Sequence, residues 1–385
     1  MKLLRVAILT TDKREHDCDY TNPVPGFGTA PEALLQGFAQ CPSVEVHVVS
    51  CMQRPMKSPA KLADNIWYHA LHVPKIGWLR TGYQGCIRAT RRKLREIGPD
   101  LVHGQGTERD CSLSAVFSGY PNVITIHGNM RSVARNLKAF PGSYLWLMAL
   151  LENFTLPRTG GVFCNSGYTE SLVRAAARWT WLVPNALRAS FFEAIPDHAP
   201  NRQPHLVNVG SICSYKRQIE ILAVLKRLHE RGYPCRIEFV GGVRPADAYG
   251  KEFLRAMSQP GVEAYAIYSG LKEKDALIAT LDQADGSVHF SSEEAFGLVV
   301  AEALARNLKF FGARVGGISD IASGAEGAEL FDAGDWNGLE QALARWMEAG
   351  CPRPMQAAET MKQRYYPRMI AQRHVEIYRE VLANR

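Results

Sequence analysis

Short apolar runs recur along this chain, each followed by a longer stretch of helical period, and the series halts once before it starts again. The runs fall at 5–10, 44–50, 66–71, 100–104, 122–127 and 161–165, with helix-like stretches at 31–40, 82–97, 109–118, 143–156 and 168–177. A strand covered on both faces must be apolar throughout, and a parallel neighbour needs a helical crossover. The alternation therefore predicts a parallel sheet with helices on both sides. A break follows at 183–186 and 195–204, where Pro196, Pro200 and Pro204 stand among polar residues, as in a linker. Beyond it, strand-like runs return at 206–209, 236–240, 262–267, 286–290 and 308–311, with helix-like runs at 218–230 and 274–283 and a last long helix at 367–383.

A chain of 385 residues exceeds what one core supports. Two doubly wound α/β domains are expected, at 1–187 and 205–365, with 188–204 as linker and the final helix, 366–385, packing back on the first domain. Two such halves leave an interdomain cleft, a favoured place for ligands.

Composition narrows the classes. Hydrophobic residues make up 46% and charged residues 22%, which is globular rather than disordered. The longest apolar stretch, 144–151, is interrupted by Glu152 and Asn153, so no spanning helix is expected. The N-terminal apolar run is too short for a signal peptide and lacks a cleavage site; a cytoplasmic location follows as the expectation. Nine cysteines without a Cys-x-x-Cys pair predict free core thiols rather than a disulfide framework. The net charge of +7 is modest. Its densest cluster, Arg88 to Arg95, reads as a solvated helix face or as a peripheral contact with acidic membrane lipid. Nothing accompanies it that suggests nucleic acid.

Chemistry concentrates at strand-to-helix turns. After the run 286–290 comes Ser291-Ser292-Glu293-Glu294-Ala295-Phe296-Gly297-Leu298, and the helix that follows carries Glu302. Glu294 precedes a helix start, whose free amides suit a phosphate or a sugar hydroxyl. Gly297 admits close approach to the backbone, and Glu302 can accept from a vicinal diol such as a ribose. Acidic residues at a helix start are also ordinary. Gly210-Ser211 leads to Lys216-Arg217 at another turn, where cations can neutralise a diphosphate or stand as plain surface charge; Gly241 ends the next strand. In the first half, Gly26 and Gly28 precede a helix with Thr29 as cap and Pro31 in its first turn, a phosphate-facing turn or a plain loop. His127 ends a strand and can hydrogen-bond a sugar hydroxyl or be satisfied by backbone; His103 is placed similarly. Asp17 and Asp19 form an Asp-x-Asp, a weak metal signal.

Together these turns resemble the family 4 retaining glycosyltransferases, which have the two-domain GT-B fold. The family's Glu-x7-Glu signature is matched by Glu294 and Glu302 with Phe296-Gly297-Leu298 between them, and its Val-Gly-Gly turn by Val315 to Asp320. Weaker matches are Ser166 to Thr169, Pro184-Asn185, Gly26 with Gly28, and His127-Gly128. The resemblance implies transfer of a sugar from a nucleotide-diphosphate sugar to a carbohydrate or lipid-linked acceptor, without cofactor or metal, for instance in polysaccharide or glycolipid assembly. Under it Glu294, His127 and Lys216 are the catalytic group. Gly26, Gly28, Gly210, Ser211, Arg217, Gly241, Ala295, Phe296, Gly297, Leu298 and Glu302 bind the donor, Glu302 taking the ribose and Lys216 the leaving diphosphate. One departure stands out: the family commonly has Arg directly after the glycine matched by Gly210, and this chain has Ser211. Arg217 or Arg244 is expected to compensate. A GT-B-fold nucleotide-sugar epimerase and a non-catalytic nucleotide-sugar-binding partner are the alternatives.

Overall fold

The structure, a computed structural model, describes residues 3–244 and 247–384; residues 1, 2 and 385 of the expected domain bounds lie outside it. The chain divides into two compact units, Met1–Ala189 with Tyr365–Arg385, and Ser190–Arg364.

The first unit is built on an eight-stranded sheet: β1 (Leu4–Leu9), β2 (Val44–Met52), β3 (Lys61–Ala63), β4 (Ile66–His72), β5 (Leu101–Gln105), β6 (Asn122–Ile126), β7 (Val162–Cys164) and β8 (Thr180–Leu182). Their spatial order is β3-β4-β2-β1-β5-β6-β7-β8. Every pairing is parallel except β3 with β4. Strands β5 and β6 are buried at every position, as expected of central strands covered on both sides. The helix Thr29–Ala39 lies against the final helix, Pro367–Ala383. Gly37 permits this contact: a Cβ there would stand 2.1 Å from the Pro367 carbonyl oxygen and 2.8 Å from the Ala371 Cβ. Tyr378 of the final helix reaches the core, its hydroxyl 2.5 Å from His103 Nδ1.

The second unit carries six parallel strands: β9 (His205–Val209), β10 (Arg236–Val240), β11 (Ala266–Gly270), β12 (Gly286–His289), β13 (Lys309–Ala313) and β14 (Ala328–Phe331). They run in the order β11-β10-β9-β12-β13-β14. The run expected as a strand at 262–267 opens instead with a 3-10 turn, Val262–Ala264; the paired strand begins only at Ala266. Strands β3, β8 and β14 have no counterpart in the sequence reading. Each sits at a sheet edge, short and only partly buried, so none shows the continuous apolar run of a central strand.

The proline-rich stretch before β9 is fastened to the second unit. Phe191 is fully buried. The Arg306 guanidinium donates to the carbonyls of Glu193 (2.8 Å) and Ala194 (3.2 Å) while pairing with Asp282 at 2.7 Å. Asp285 accepts from the His205 amide (2.7 Å), the Asn201 amide (3.1 Å), Asn201 Nδ2 (2.8 Å) and His198 Nε2 (2.8 Å). Pro196, Pro200 and Pro204 stop this segment from forming a regular element, and the buried Asp285 carboxylate supplies acceptors for its polar groups.

Candidate functional site

The strand order of the second unit reverses between β9 and β12. In such sheets the carboxyl ends of the two strands at the reversal flank a crevice. Gly210 follows β9 and Gly241 follows β10, at φ of 151° and 152°. A Cβ on Gly241 would lie 2.0 Å from the Gly210 carbonyl oxygen, so this close approach of two backbones requires glycine. The Ile212 amide donates to the Gly242 carbonyl at 2.9 Å and ties the two loops together. The chain then makes a 3-10 turn, Ser214–Lys216, and Arg217 at φ 59° starts the helix Gln218–Glu230.

At the end of β12 the Ser292 amide donates to the Tyr215 carbonyl at 2.7 Å, laying the loop after β12 beside Lys216. The Lys216 ammonium hydrogen-bonds Glu294 Oε2 and stands 3.3 Å from His289 Nε2. That ring nitrogen is 3.1 Å from the same Glu294 oxygen. His289 is the last residue of β12 and is buried. Burial, with the Lys216 charge, lowers its pKa, so the ring is neutral at pH 7. Its Nδ1 lies toward the Val209 carbonyl without a well-formed hydrogen bond, and its Nε2 faces both the Lys216 ammonium and the Glu294 carboxylate. Burial works to raise the Glu294 carboxyl, but Lys216 and His289 outweigh it and hold the pKa at about 2. The ammonium, carried by the loop after β9, is thus held by an imidazole and a carboxylate that both come from the end of β12.

The two glycines after Val315 clamp this loop. Gly316 has φ 49°, and a Cβ there would stand 1.8 Å from the Glu294 carbonyl oxygen. The Gly317 amide donates to that oxygen at 3.0 Å, and a Cβ on Gly317 would lie 2.6 Å from Phe296 Cα. Gly297, at φ 101°, caps the helix Leu298–Leu304. Phe296 and Glu302 are both buried, while Ala295 and Leu298 are partly exposed.

The remaining residues singled out in the sequence are more dispersed. The Arg217 guanidinium donates to the Ala333 carbonyl and lies 6.0 Å from the Trp336 ring centre. Arg244 is exposed, and its charge acts on the Tyr215 phenol. The exposed Ser211 uses its carbonyl to accept from Gln218 Nε2 at 3.1 Å. In the first unit, the Gly26 carbonyl accepts from the Lys13 amide at 2.7 Å. Gly28 occupies the cap position of Thr29–Ala39 and Thr29 is the first helical residue, so the expected Thr29 cap is displaced by one residue. His127 follows β6, with Nε2 3.0 Å from Gln105 Oε1; burial lowers its pKa. It lines a small cavity with Gln105, Asn185 and His374. His103 has both ring nitrogens engaged, by Tyr378 and by Thr125 Oγ1 at 2.6 Å, which makes it a core residue. Asp19 accepts from its neighbour Thr21, an ordinary Asx turn.

His289 is the residue that sequence reasoning passed over. The available signal was its place at the end of an apolar run five residues before Glu294, the same logic that drew attention to His127.

Two family profiles match the chain, "Glycosyltransferase Family 4" over residues 28–189 and "Glycosyl transferases group 1" over residues 192–364. The N-acetyl-alpha-D-glucosaminyl L-malate synthase of Bacillus anthracis is 28% identical over 139 residues, which is 34% of this chain and 36% of that protein; the aligned region spans about a third of the relative. The fold is similar to that of sucrose-phosphate synthase from Thermosynechococcus elongatus, with TM-score 0.77 and 17% identity over 99% of this chain and 100% of that one. It is also similar to Anabaena HepE in complex with UDP and glucose, with TM-score 0.71 and 15% identity over 98% and 100% of the two chains.

Proposed function

Given that the chain belongs to the family 4 glycosyltransferases, we propose that it transfers a sugar from a nucleotide-diphosphate sugar to a hydroxyl of a carbohydrate or lipid-linked acceptor, with retention of anomeric configuration and no metal ion. The observation that carries this reading is the Lys216 ammonium held between Glu294 and His289 beside the β9–β12 reversal.

Departure of a nucleoside diphosphate leaves negative charge on phosphate oxygens. A cation already fixed in position stabilises that charge without reorganising as it develops. Lys216 fills this role, and Glu294, ionised at neutral pH, keeps it ordered before the donor arrives. Glu294 also presents a carboxylate edge that can accept from donor-sugar hydroxyls. Glu302 takes the ribose hydroxyls. Gly210, Gly241 and the turn at Ala295 to Leu298 give backbone access to the phosphates. His127, in the first unit, is assigned to the reacting sugar on the family resemblance. The departing phosphate receives the acceptor proton, so no separate base is required. That HepE was solved with UDP and glucose supports a nucleotide sugar as donor.

Helix Gln84–Ile97 exposes Arg88, Arg91, Arg92 and Arg95 while burying Ile87, Leu94 and Ile97. No helix among the described residues is long and apolar enough to cross a membrane. We place the protein in the cytoplasm with that basic face available to acidic lipid, in polysaccharide or glycolipid assembly. Sedimentation with acidic liposomes tests the contact, and binding unchanged by Arg88→Glu with Arg92→Glu removes it.

The donor is tested by thermal shift with nucleoside diphosphates and their sugars. A true donor at 100 times its dissociation constant stabilises the fold by about 2.7 kcal/mol. Glu302→Ala should abolish most of that shift, and an unchanged shift overturns the ribose assignment.

A further inference from the structure

The strand order of the first sheet also reverses, between β1 and β5, and a recess of about 440 Å³ lies among the loops that leave its carboxyl ends. Glu15 and His16 belong to the short helix Lys13–His16 after β1, and Gln53 follows β2. Lys75 and Arg80 come from the segment after β4, and Arg109 follows β5. None of these residues takes part in the Lys216 cluster, which belongs to the other unit.

The charges in this recess do not cancel. Arg109 meets one carboxylate within ion-pair distance, Glu15, at 3.8 Å, too far for a good hydrogen bond; the buried Asp110 carboxylate also acts on it through its charge, which leaves the Lys75 and Arg80 charges uncompensated. Glu15 is buried and already accepts from the Gln53 amide (2.8 Å), Gln53 Nε2 (2.8 Å) and Tyr20 Oη (2.9 Å). Arg109 makes no hydrogen bond to an acceptor among the described residues; its guanidinium rests on the Trp78 ring, 5.1 Å from the ring centre. Lys75 and Arg80 are exposed and likewise have no acidic partner among the described residues. Asp110, next in the chain to Arg109, is turned into the buried group of Cys51 and Cys86.

The walls are built rather than loose. Trp78 Nε1 donates to the Val73 carbonyl at 2.9 Å, and the Trp78 ring meets Tyr83 edge to face at 6.3 Å. Gly77 and Gly85 pack backbone to backbone, a Cβ on Gly85 falling 2.5 Å from Gly77 Cα. The aromatic floor and the Gly77–Gly85 contact fix the turn that carries Lys75 and Arg80. An unused planar fork of N–H donors on an aromatic face, with two further cations at the rim, is the arrangement that binds a carboxylate or a phosphate.

We propose that this recess binds an oxyanion, carboxylate or phosphate, borne by the acceptor, with Arg109 as its main contact. The proposal rests on the glycosyltransferase reading only in calling the ligand an acceptor; the anion site itself is independent of it. The acceptor class is then an anionic hydroxyl compound, either a hydroxy acid or a sugar phosphate, rather than a neutral sugar.

Calorimetric titration of the full chain with inorganic phosphate and, separately, with a four-carbon dicarboxylate at low ionic strength tests it. We expect one of the two to bind, and Arg109→Met to weaken it by tenfold or more. Lys75→Ala with Arg80→Ala, at exposed positions that do not burden folding, should weaken it by several-fold. Which arm binds distinguishes the phosphate from the carboxylate acceptor. Failure of both anions to bind the unaltered protein, or affinities unchanged in both variants, overturns the proposal. UDP titrated into the same variants keeps the two readings apart. UDP affinity that is unchanged while anion affinity falls supports a site separate from the donor's, whereas UDP affinity lost in parallel refers the anion binding to the donor and overturns it.

Discussion

His289 Nε2 and Glu294 Oε2 stand 3.1 Å apart, and the ammonium of Lys216 is hydrogen-bonded to the carboxylate and 3.3 Å from the ring nitrogen. Three residues from two strand ends thereby share one proton-rich contact, and its balance sets what each can do. A buried carboxylate next to a neutral imidazole would be costly without the cation.

Removing the cation should be visible in chemistry. Lys216→Ala is expected to lower turnover of the nucleotide sugar by about 10²–10³-fold, the usual cost of deleting one preorganised charge stabiliser. Steady-state rates with the donor identified by thermal shift check this, and a loss under about tenfold removes Lys216 from the step.

The same cluster predicts a pH dependence. The Glu294 carboxyl lies at about 2 in the folded protein against an ordinary value of 4.5. Its contribution to stability is therefore complete above about pH 4.5 and is lost as pH falls toward 2. In Lys216→Met the desolvated carboxyl rises instead, so melting temperatures of the two proteins should differ near pH 6 and converge toward pH 3. Parallel curves across that range would contradict the pairing.

Gly316→Ala should damage the loop that holds Glu294. The new methyl would overlap the Glu294 carbonyl, and φ 49° disfavours any side chain. Overpacking of this kind costs about 1–3 kcal/mol, and nucleotide affinity should fall with it because the clamped backbone spans Glu294 to Phe296. Urea unfolding and a UDP titration measure the two effects; wild-type values for both would show that the clamp is dispensable.

Gly37→Ala probes the first unit. Its methyl would meet the Pro367 carbonyl at 2.1 Å and push the final helix from Thr29–Ala39. Hydrogen exchange should speed up across Pro367–Ala383 well before global unfolding. Unaltered protection there would mean the two helices can slide apart at no cost.

Asp285→Ala removes a buried acceptor of four hydrogen bonds. Loss of one partner from such a charged network costs about 3–5 kcal/mol, and the first cleavage in limited proteolysis should move to 195–204. A denaturation midpoint within error of the wild type would remove Asp285 as the anchor of that segment.

The α/β alternation, the central strands of both sheets and the strand-to-helix turns that carry charged residues were legible in the amino-acid sequence alone. Burial on both faces forces an apolar run, and helix starts announce themselves in glycine, proline and acidic residues. The sequence also marked Glu294, Glu302 and Lys216, since spacing along one loop and one helix survives folding. Edge strands such as β8 and β14 were invisible to it because their half-buried residues need no pattern. Tertiary structure decided which charges meet: Lys216 and Glu294 are 78 positions apart and come together only because β9 and β12 are neighbours in the sheet. The same adjacency brought in His289, gave the glycines at 316 and 317 their role as a backbone clamp, and committed Arg217 to the Ala333 carbonyl. Contacts between distant loops follow from strand order, and strand order is a property of the whole sheet.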